Sequence, residues 1–277
     1  MKLLVAGAAG FVGSNLCDRL LAAGHDVTGV DDLSTGLLSA TAKARASKHF
    51  RFHRLDLAGG GLPELLARSS PEVVVHAALS GDPGRDVAAT AALAQTRARL
   101  VLVGSAAVYG RAACPVGERT RTAPVTGVAA VEVAREAIVE AAGRRGLRAV
   151  VLRVATVYGP RDRSGPVGLL LGRGRLVGAG TTVRDLLHVD DLAGAVAHCL
   201  DGRADGRRLN VGTGVGTSDR DLHSAVAAVL RRPDAPERVP GDPEPDLVLD
   251  CSAARRLLGW EPAVDLASGL ARTLDTT

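Results

Sequence analysis

Residues 2–13 read KLLVAGAAGFVG, and this stretch decides how the chain folds. A short apolar run, Leu3-Leu4-Val5-Ala6, ends in glycines at Gly7, Gly10 and Gly13, and helix-like sequence follows at once. The pattern predicts a strand, a tight turn and a helix N-terminus. Glycine suits such a turn because it accepts positive φ, lets backbone N–H groups approach a pyrophosphate, and allows close helix–strand packing. The unpaired N–H groups of the first helical turn, reinforced by the macrodipole, then bind the anion. The spacing Gly-x-x-Gly-x-x-Gly is one residue wider than the commoner dinucleotide fingerprint, so the surrounding sequence has to support it.

Working outward, residues 12–23 carry apolar side chains at helical spacing and stop at Gly24, a C-cap. A second strand over 25–30 ends in Asp31-Asp32. Asp31 lies eighteen positions after Gly13, where an acidic residue meets the hydroxyls of an adenosine ribose. The other reading, in which Asp31 only ends the strand or caps a turn, stays open on spacing alone. Further strands follow over 50–54, 71–78, 100–104 and 148–154, with helices over 62–68, 86–96 and 128–143 between them. Strictly alternating strands and helices predict a parallel α/β sheet. Beyond Gly159-Pro160 the rhythm changes: helices are expected near 190–200, 219–230, 253–258 and 267–274, with a short strand at 209–211. The expectation is a Rossmann-type doubly wound domain over 1–160, to which some later segments return. A smaller substrate-binding lobe over 161–277 closes a cleft above the strand C-termini.

The chain has 277 residues, 46% hydrophobic and 23% charged, as in a globular protein. It shows neither a leader pattern nor an apolar stretch of transmembrane length, so a cytoplasmic protein with no membrane partner is expected. Cys17, Cys114, Cys199 and Cys251 are scattered without a Cys-x-x-Cys pair, which argues against a zinc site or a disulfide scaffold. A net charge of +4 comes from dispersed arginines, and aromatic residues make up only 2%, so no nucleic-acid partner is expected.

Taken together, the segments are similar to the extended short-chain dehydrogenase/reductases, the epimerase/dehydratase type that acts on nucleotide sugars. The resemblance covers nearly the whole chain and rests on segments in family order. These are Gly7–Gly13, VDDLSTG at 30–36, His76-Ala77-Ala78, GSAAVYG at 104–110, VYGPR at 157–161, RDLLHVDD at 184–191, NVGTG at 210–214 and LGWEP at 258–262. It implies NAD(P)H as cofactor. Phe11 and Val12 would offer N–H groups to the pyrophosphate, Asp31 would accept from the adenosine ribose, and Asp32, Leu33 and Ser34 would also contact the cofactor. Asp56 and Leu57 would border the adenine, Ala77, Ala78 and Leu79 would line the side of the fourth strand, and Ser105, Ala155 and Thr156 would also contact the cofactor. Asp31 repels a ribose 2′-phosphate and no cation stands between 32 and 42, which favours NADH; a cation from elsewhere would admit NADPH.

The resemblance also exposes a gap. The family carries Tyr-x-x-x-Lys on its long helix, both side chains on one face, the lysine lowering the tyrosine pKa and the tyrosine passing a proton as hydride moves. Alignment of this helix puts Val128 at the tyrosine and Glu132 at the lysine. Misalignment cannot rescue the motif: the tyrosines are Tyr109 and Tyr158, followed four residues later by Ala113 and Asp162, and no lysine follows Lys48. Glu132 reads as a surface carboxylate paired with Arg135. Asp86 falls where the family often has an asparagine of the proton relay, and the connection from Ala78 to Ser105 is short for the family. That shortening leaves the oligomeric state open. The candidate catalytic residue is Ser105, which would polarise a substrate carbonyl.

Without the pair, abstraction of a proton from an unactivated sugar hydroxyl loses roughly 10²–10⁴ in rate. Reduction of a ketone that carries a neighbouring phenol loses less, because the substrate supplies its own hydrogen-bond donor. The chain thus resembles the atypical ketoreductases of antibiotic biosynthesis that act on angucyclinones. The first expectation is NAD(P)H-dependent reduction of a polycyclic aromatic polyketide ketone. The alternatives are a nucleotide-sugar epimerase, dehydratase or reductase, suggested by Arg184 at a family phosphate-contacting position, and a catalytically inactive dinucleotide sensor.

Overall fold

The computed structural model describes residues 1–274 apart from Ser164, Gly174 and Asp242. The first half alternates strictly: β1 (Lys2–Ala6), α1 (Phe11–Ala22), β2 (Asp26–Asp31), α2 (Ala42–Arg45), β3 (Phe50–Arg54), α3 (Leu62–Ser69), β4 (Val73–His76), α4 (Pro83–Leu93), β5 (Arg99–Ser105), α5 (Gly127–Gly143) and β6 (Ala149–Val154). The second half holds β7 (Thr156–Tyr158), α6 (Pro166–Arg173), β8 (Arg175–Val177), β9 (Val183–His188), α7 (Val189–Cys199), β10 (Arg208–Val211), β11 (Gly216–Ser218), α8 (Asp219–Leu230), β12 (Glu237–Val239), α9 (Ser252–Leu258) and α10 (Leu266–Leu274).

Seven strands form a parallel sheet in the order β10-β6-β5-β4-β1-β2-β3. The doubly wound α/β fold is therefore present. Strands buried on both faces read as continuous apolar runs, and successive side chains serve opposite layers. Leu3, Val5, Val73 and Val75 pack in one core, under α1 and α7. Leu4, Ala6, Val74, Leu100 and Leu102 pack in the other, with Leu62 and Leu65 of α3 and Leu93 of α4. Helix starts follow local chemistry: Asp82 accepts the N–H of Arg85 at 3.0 Å with Pro83 next in line, and Thr126 accepts that of Ala129 at 3.2 Å.

One expected lobe strand belongs elsewhere. Residues 208–211 form the edge strand β10 of the main sheet, with Leu209 opposite Leu152 and Val211 opposite Val154. Leu209 and Val211 are buried, and so short a run carries no sign of which sheet it joins. The crossover from β6 to β10 runs through β7, α6, β8, β9 and α7, which is why the rhythm is lost along the chain. The lobe itself holds the three-stranded sheet β11-β9-β7, the pair β12-β8 and a core of Leu176, Leu186, Leu222, Val226 and Leu270.

Two arginines tie this second half to α1. Arg161 reaches the carbonyl of Ala40 at 2.7 Å and Oδ1 of Asn15 at 2.8 Å, and Arg19 meets Asp190 at 2.7 Å. His188 has a local task instead: its Nδ1 accepts the N–H of Asp190 at 3.2 Å, and its ring meets Tyr158 edge-on.

Candidate functional site

The sheet order reverses between β1 and β4, and an open cleft lies at the C-terminal ends of these strands, as open α/β sheets require. Its walls come from the first glycine turn, the ends of β2 and β3, and the segment after β4. Gly7 has φ +84°, and a Cβ there would lie 2.7 Å from Ala78 Cα, so backbone from β1 and β4 meets with no room for a side chain. At Gly13 a Cβ would come within 1.9 Å of the Gly7 carbonyl oxygen. Gly13 thus packs α1 onto the turn. Gly10 is the N-cap and offers no side chain to the first-turn N–H groups of α1, and that turn contains no acid. Those donors suit a pyrophosphate.

Asp31 is buried and held from two sides, its Oδ2 accepting the N–H of Ala9 at 2.9 Å and its Oδ1 that of Leu33 at 2.8 Å. Asp32 and Asp56 each accept an N–H two residues on, from Ser34 at 2.8 Å and Ala58 at 3.0 Å. Of the residues expected at the cofactor, Gly7, Gly10, Asp31, Asp32, Ser34, Asp56, Leu57, Ala77, Ala78 and Leu79 line this one cleft. Phe11 and Val12 open α1 beside it. Leu33 (φ +65°) contributes the N–H that orients Asp31. Ala155 and Thr156 lie further along, past β6, where Ala155 donates to Val211 O at 2.9 Å and Thr156 pairs with Leu186.

Arg85 also lines this cleft, a residue that no sequence motif singles out. Its guanidinium contacts Asp32 and reaches Asp56 at 3.1 Å, so a cation from α4 does stand beside the carboxylates expected at the adenosine end. Burial pushes the Asp32 carboxyl up, but its bonds to Ser34 and the Arg85 guanidinium outweigh this and hold it below the usual carboxylate range. Nothing in the local sequence marks Arg85; its place follows from the strand order.

At the end of β5, Ser105 caps the turn 106–109, accepting the N–H of Ala107 at 3.2 Å and keeping its own proton free to donate. Across from β5, Val128 on α5 is 53% exposed, whereas Glu132 is only 2% exposed. The expected surface carboxylate is thus a buried one, because α5 turns this face onto α4 and β5. Glu132 Oε1 bonds Arg135 at 2.5 Å, while its Oε2 has no hydrogen-bond partner among the described residues and lies 3.2 Å from where a Cβ on Gly104 would stand. Burial pushes the Glu132 carboxyl up and Arg135 pulls it down, with a net rise. Arg135 also meets Thr90 Oγ1 at 3.1 Å, His76 Nε2 at 3.2 Å and the carbonyl of Ala78 at 3.1 Å. The position expected to hold the lysine therefore holds a carboxyl group whose partner props the cleft wall at Ala78. A second buried pair, Arg153 with Glu136 at 2.8 and 2.6 Å, lies beside it, with the Arg153 guanidinium 4.8 Å from the centre of the Tyr109 ring.

Neither tyrosine replaces the missing phenol. Tyr109 is buried and donates to Asn210 Oδ1 at 2.7 Å, and Tyr158 is buried against His188. Burial raises both phenols above their ordinary range. Asp86 accepts from Ser80 N at 2.6 Å and Ser80 Oγ at 2.8 Å, so it pins the loop before α4 in place of a relay role. Arg184 spends its guanidinium on Asp219 at 2.6 and 3.1 Å and on Glu244 at 2.7 Å.

A switch-point cleft with a glycine cradle and an oriented carboxylate at the end of β2 defines a dinucleotide-binding fold. The family model described as the NAD dependent epimerase/dehydratase family matches residues 3–212, and the chain belongs to that family. It is 38% identical to a UDP-glucose 4-epimerase of Mycolicibacterium smegmatis, covering 99% of this chain and 98% of that protein. That alignment runs over 307 positions, so the relative carries at least thirty residues this chain lacks. The UDP-glucose 4-epimerase of Thermus thermophilus, solved in complex with NAD, superposes with a TM-score of 0.88 at 30% identity over 100% of this chain and 98% of that one. The UDP-glucose 4-epimerase of Thermotoga maritima, solved with UDP-glucose, superposes with a TM-score of 0.90 at 27% identity, over 100% and 98%. Among the described residues no helix is long and apolar enough to cross a membrane, and no cluster of His, Cys, Asp and Glu suits a metal.

Proposed function

We propose that this protein binds NAD(H) in the β1–β4 cleft and uses it to reduce a substrate that arrives as a ketone, without a tyrosine–lysine proton relay. The observation that carries this reading is the contrast between the complete cofactor cleft and the exposed Val128 and buried Glu132–Arg135 pair on α5. The hydride for the carbonyl carbon would come from NADH held in this cleft. The chain's own residues hold the pyrophosphate on the first turn of α1, fix the ribose through Asp31 and orient the carbonyl oxygen with the Ser105 hydroxyl. The proton that completes the alcohol comes from the substrate's own acidic group or from solvent.

The comparisons favour a nucleotide-linked keto sugar as the substrate class, since similarity to UDP-glucose 4-epimerases runs along the whole chain. A second reading, an aromatic polyketide ketone such as an angucyclinone, rests on the absent tyrosine–lysine pair, since a ketone with a neighbouring phenol brings its own hydrogen-bond donor; the guanidinium of Arg184, expected at a sugar phosphate, is engaged by Asp219 and Glu244. Oxidation of NADH, followed by its absorbance with a 4-keto sugar nucleotide and with an angucyclinone ketone, separates the two. Turnover of one class alone assigns it, and no turnover of either by protein that binds NADH overturns the reductase reading. Ser105→Ala is expected to lower turnover on the active ketone about 10²-fold with unchanged NADH affinity, as for the loss of one oxyanion donor.

A further inference from the structure

The sheet order sets Arg85 apart from its partners. The loop after β4 and the start of α4 lie on one side of β1, whereas Asp32 and Asp56 follow β2 and β3 on the other. The guanidinium therefore crosses the C-terminal end of β1 at the adenosine end of the cleft. Among the described residues it is the one cationic side chain lining that cleft. Its geometry is prepared: Asp82 caps α4 through the Arg85 N–H, and Asp86 holds the preceding loop by Ser80 and Gly81. The bridge is half-exposed, with side-chain exposures of 39% for Arg85, 25% for Asp32 and 49% for Asp56.

We infer that the Asp32–Arg85–Asp56 bridge is a clasp over the adenosine half of the dinucleotide, one that must open for the cofactor to enter or leave. The inference rests on the proposed cofactor reading. A clasp made of part-exposed ion pairs is weakened by salt, because screening acts on charges in contact with solvent. Release of the cofactor from the wild-type protein should therefore quicken as ionic strength rises. An arginine that serves only to brace α4 would give no such dependence.

The test is stopped-flow fluorescence of NADH binding and displacement, with ADP-ribose and nicotinamide mononucleotide as separate probes, at low and high salt. Arg85→Ala is expected to raise the NADH dissociation rate at least about tenfold and to abolish its salt dependence, the scale of one charge-assisted contact. ADP-ribose affinity should fall in parallel and nicotinamide mononucleotide affinity should not move. Arg85→Lys, which keeps the charge and loses the fork, should lie between. Asp56→Asn gives an independent route to the same effect without touching α4. Unchanged dissociation rates in Arg85→Ala and Asp56→Asn, with the wild-type protein binding NADH, overturn the clasp and leave the cofactor reading standing. A wild-type protein that binds neither NADH nor ADP-ribose overturns both.

Discussion

Installing the family's catalytic pair by Val128→Tyr and Glu132→Lys is expected to destabilise this protein rather than confer epimerase activity. Val128 is exposed, so the tyrosine is tolerated. Glu132 is the buried partner of Arg135, whose own exposure is 1%. A lysine there removes the anion and sets a second cation against a desolvated guanidinium. Breaking a buried pair by removing one partner costs about 3–5 kcal/mol, which corresponds to a fall in melting temperature on the order of 10 °C for a chain of this size. Thermal unfolding of the Glu132→Lys single variant measures this. An unchanged melting temperature would mean that the Glu132–Arg135 pair does not form. The replacement in this protein is thus a rebuilt network: Arg135 braces Thr90, His76 and the Ala78 carbonyl, and Glu132 keeps that arginine in place.

Asp31→Ala is expected to weaken NADH binding on the order of a hundredfold, because hydrogen bonds to a charged group contribute about 1.5–3 kcal/mol each and the ribose offers two hydroxyls; it also lowers stability, since the N–H groups of Ala9 and Leu33 lose their acceptor. The carboxylate is already aimed by the N–H groups of Ala9 and Leu33, so little ordering is left for binding to supply. Fluorescence titration with NADH reads the loss, and equal affinity in the variant would remove Asp31 from the site. Asp31→Asn, which keeps one acceptor and loses the charge, should fall between the two.

The cleft at the first glycine turn is legible in the sequence because its requirements are local. A positive φ at Gly7, a helix without a Cβ at Gly13 and a carboxylate at the end of β2 each follow from a few adjacent residues. The strand runs were equally plain, since β1, β4 and β5 are buried on both faces. Other features depend on what folding brings together. Arg85 lies 53 positions from Asp32 and meets it only because β4 neighbours β1. Glu132 reads as one more polar residue of an alanine-rich helix, and its burial comes from the way α5 packs on α4 and β5. Residues 208–211 are too short to reveal their sheet until Leu209 and Val211 are seen beside β6. Arg184 stands where a phosphate contact is expected, and only the approach of Asp219 and Glu244 shows that its charge is already taken.

The measurement that bears most directly on an intact hydride site without its proton relay is conversion of UDP-galactose to UDP-glucose by protein first shown to bind NAD(H) stoichiometrically. Epimerisation demands removal of a proton from a sugar hydroxyl, the step for which general acid–base help is worth roughly 10²–10⁴. The expected result is saturable dinucleotide binding with no interconversion of the two sugars. Interconversion of the two sugars, or a protein that binds no dinucleotide, would contradict it.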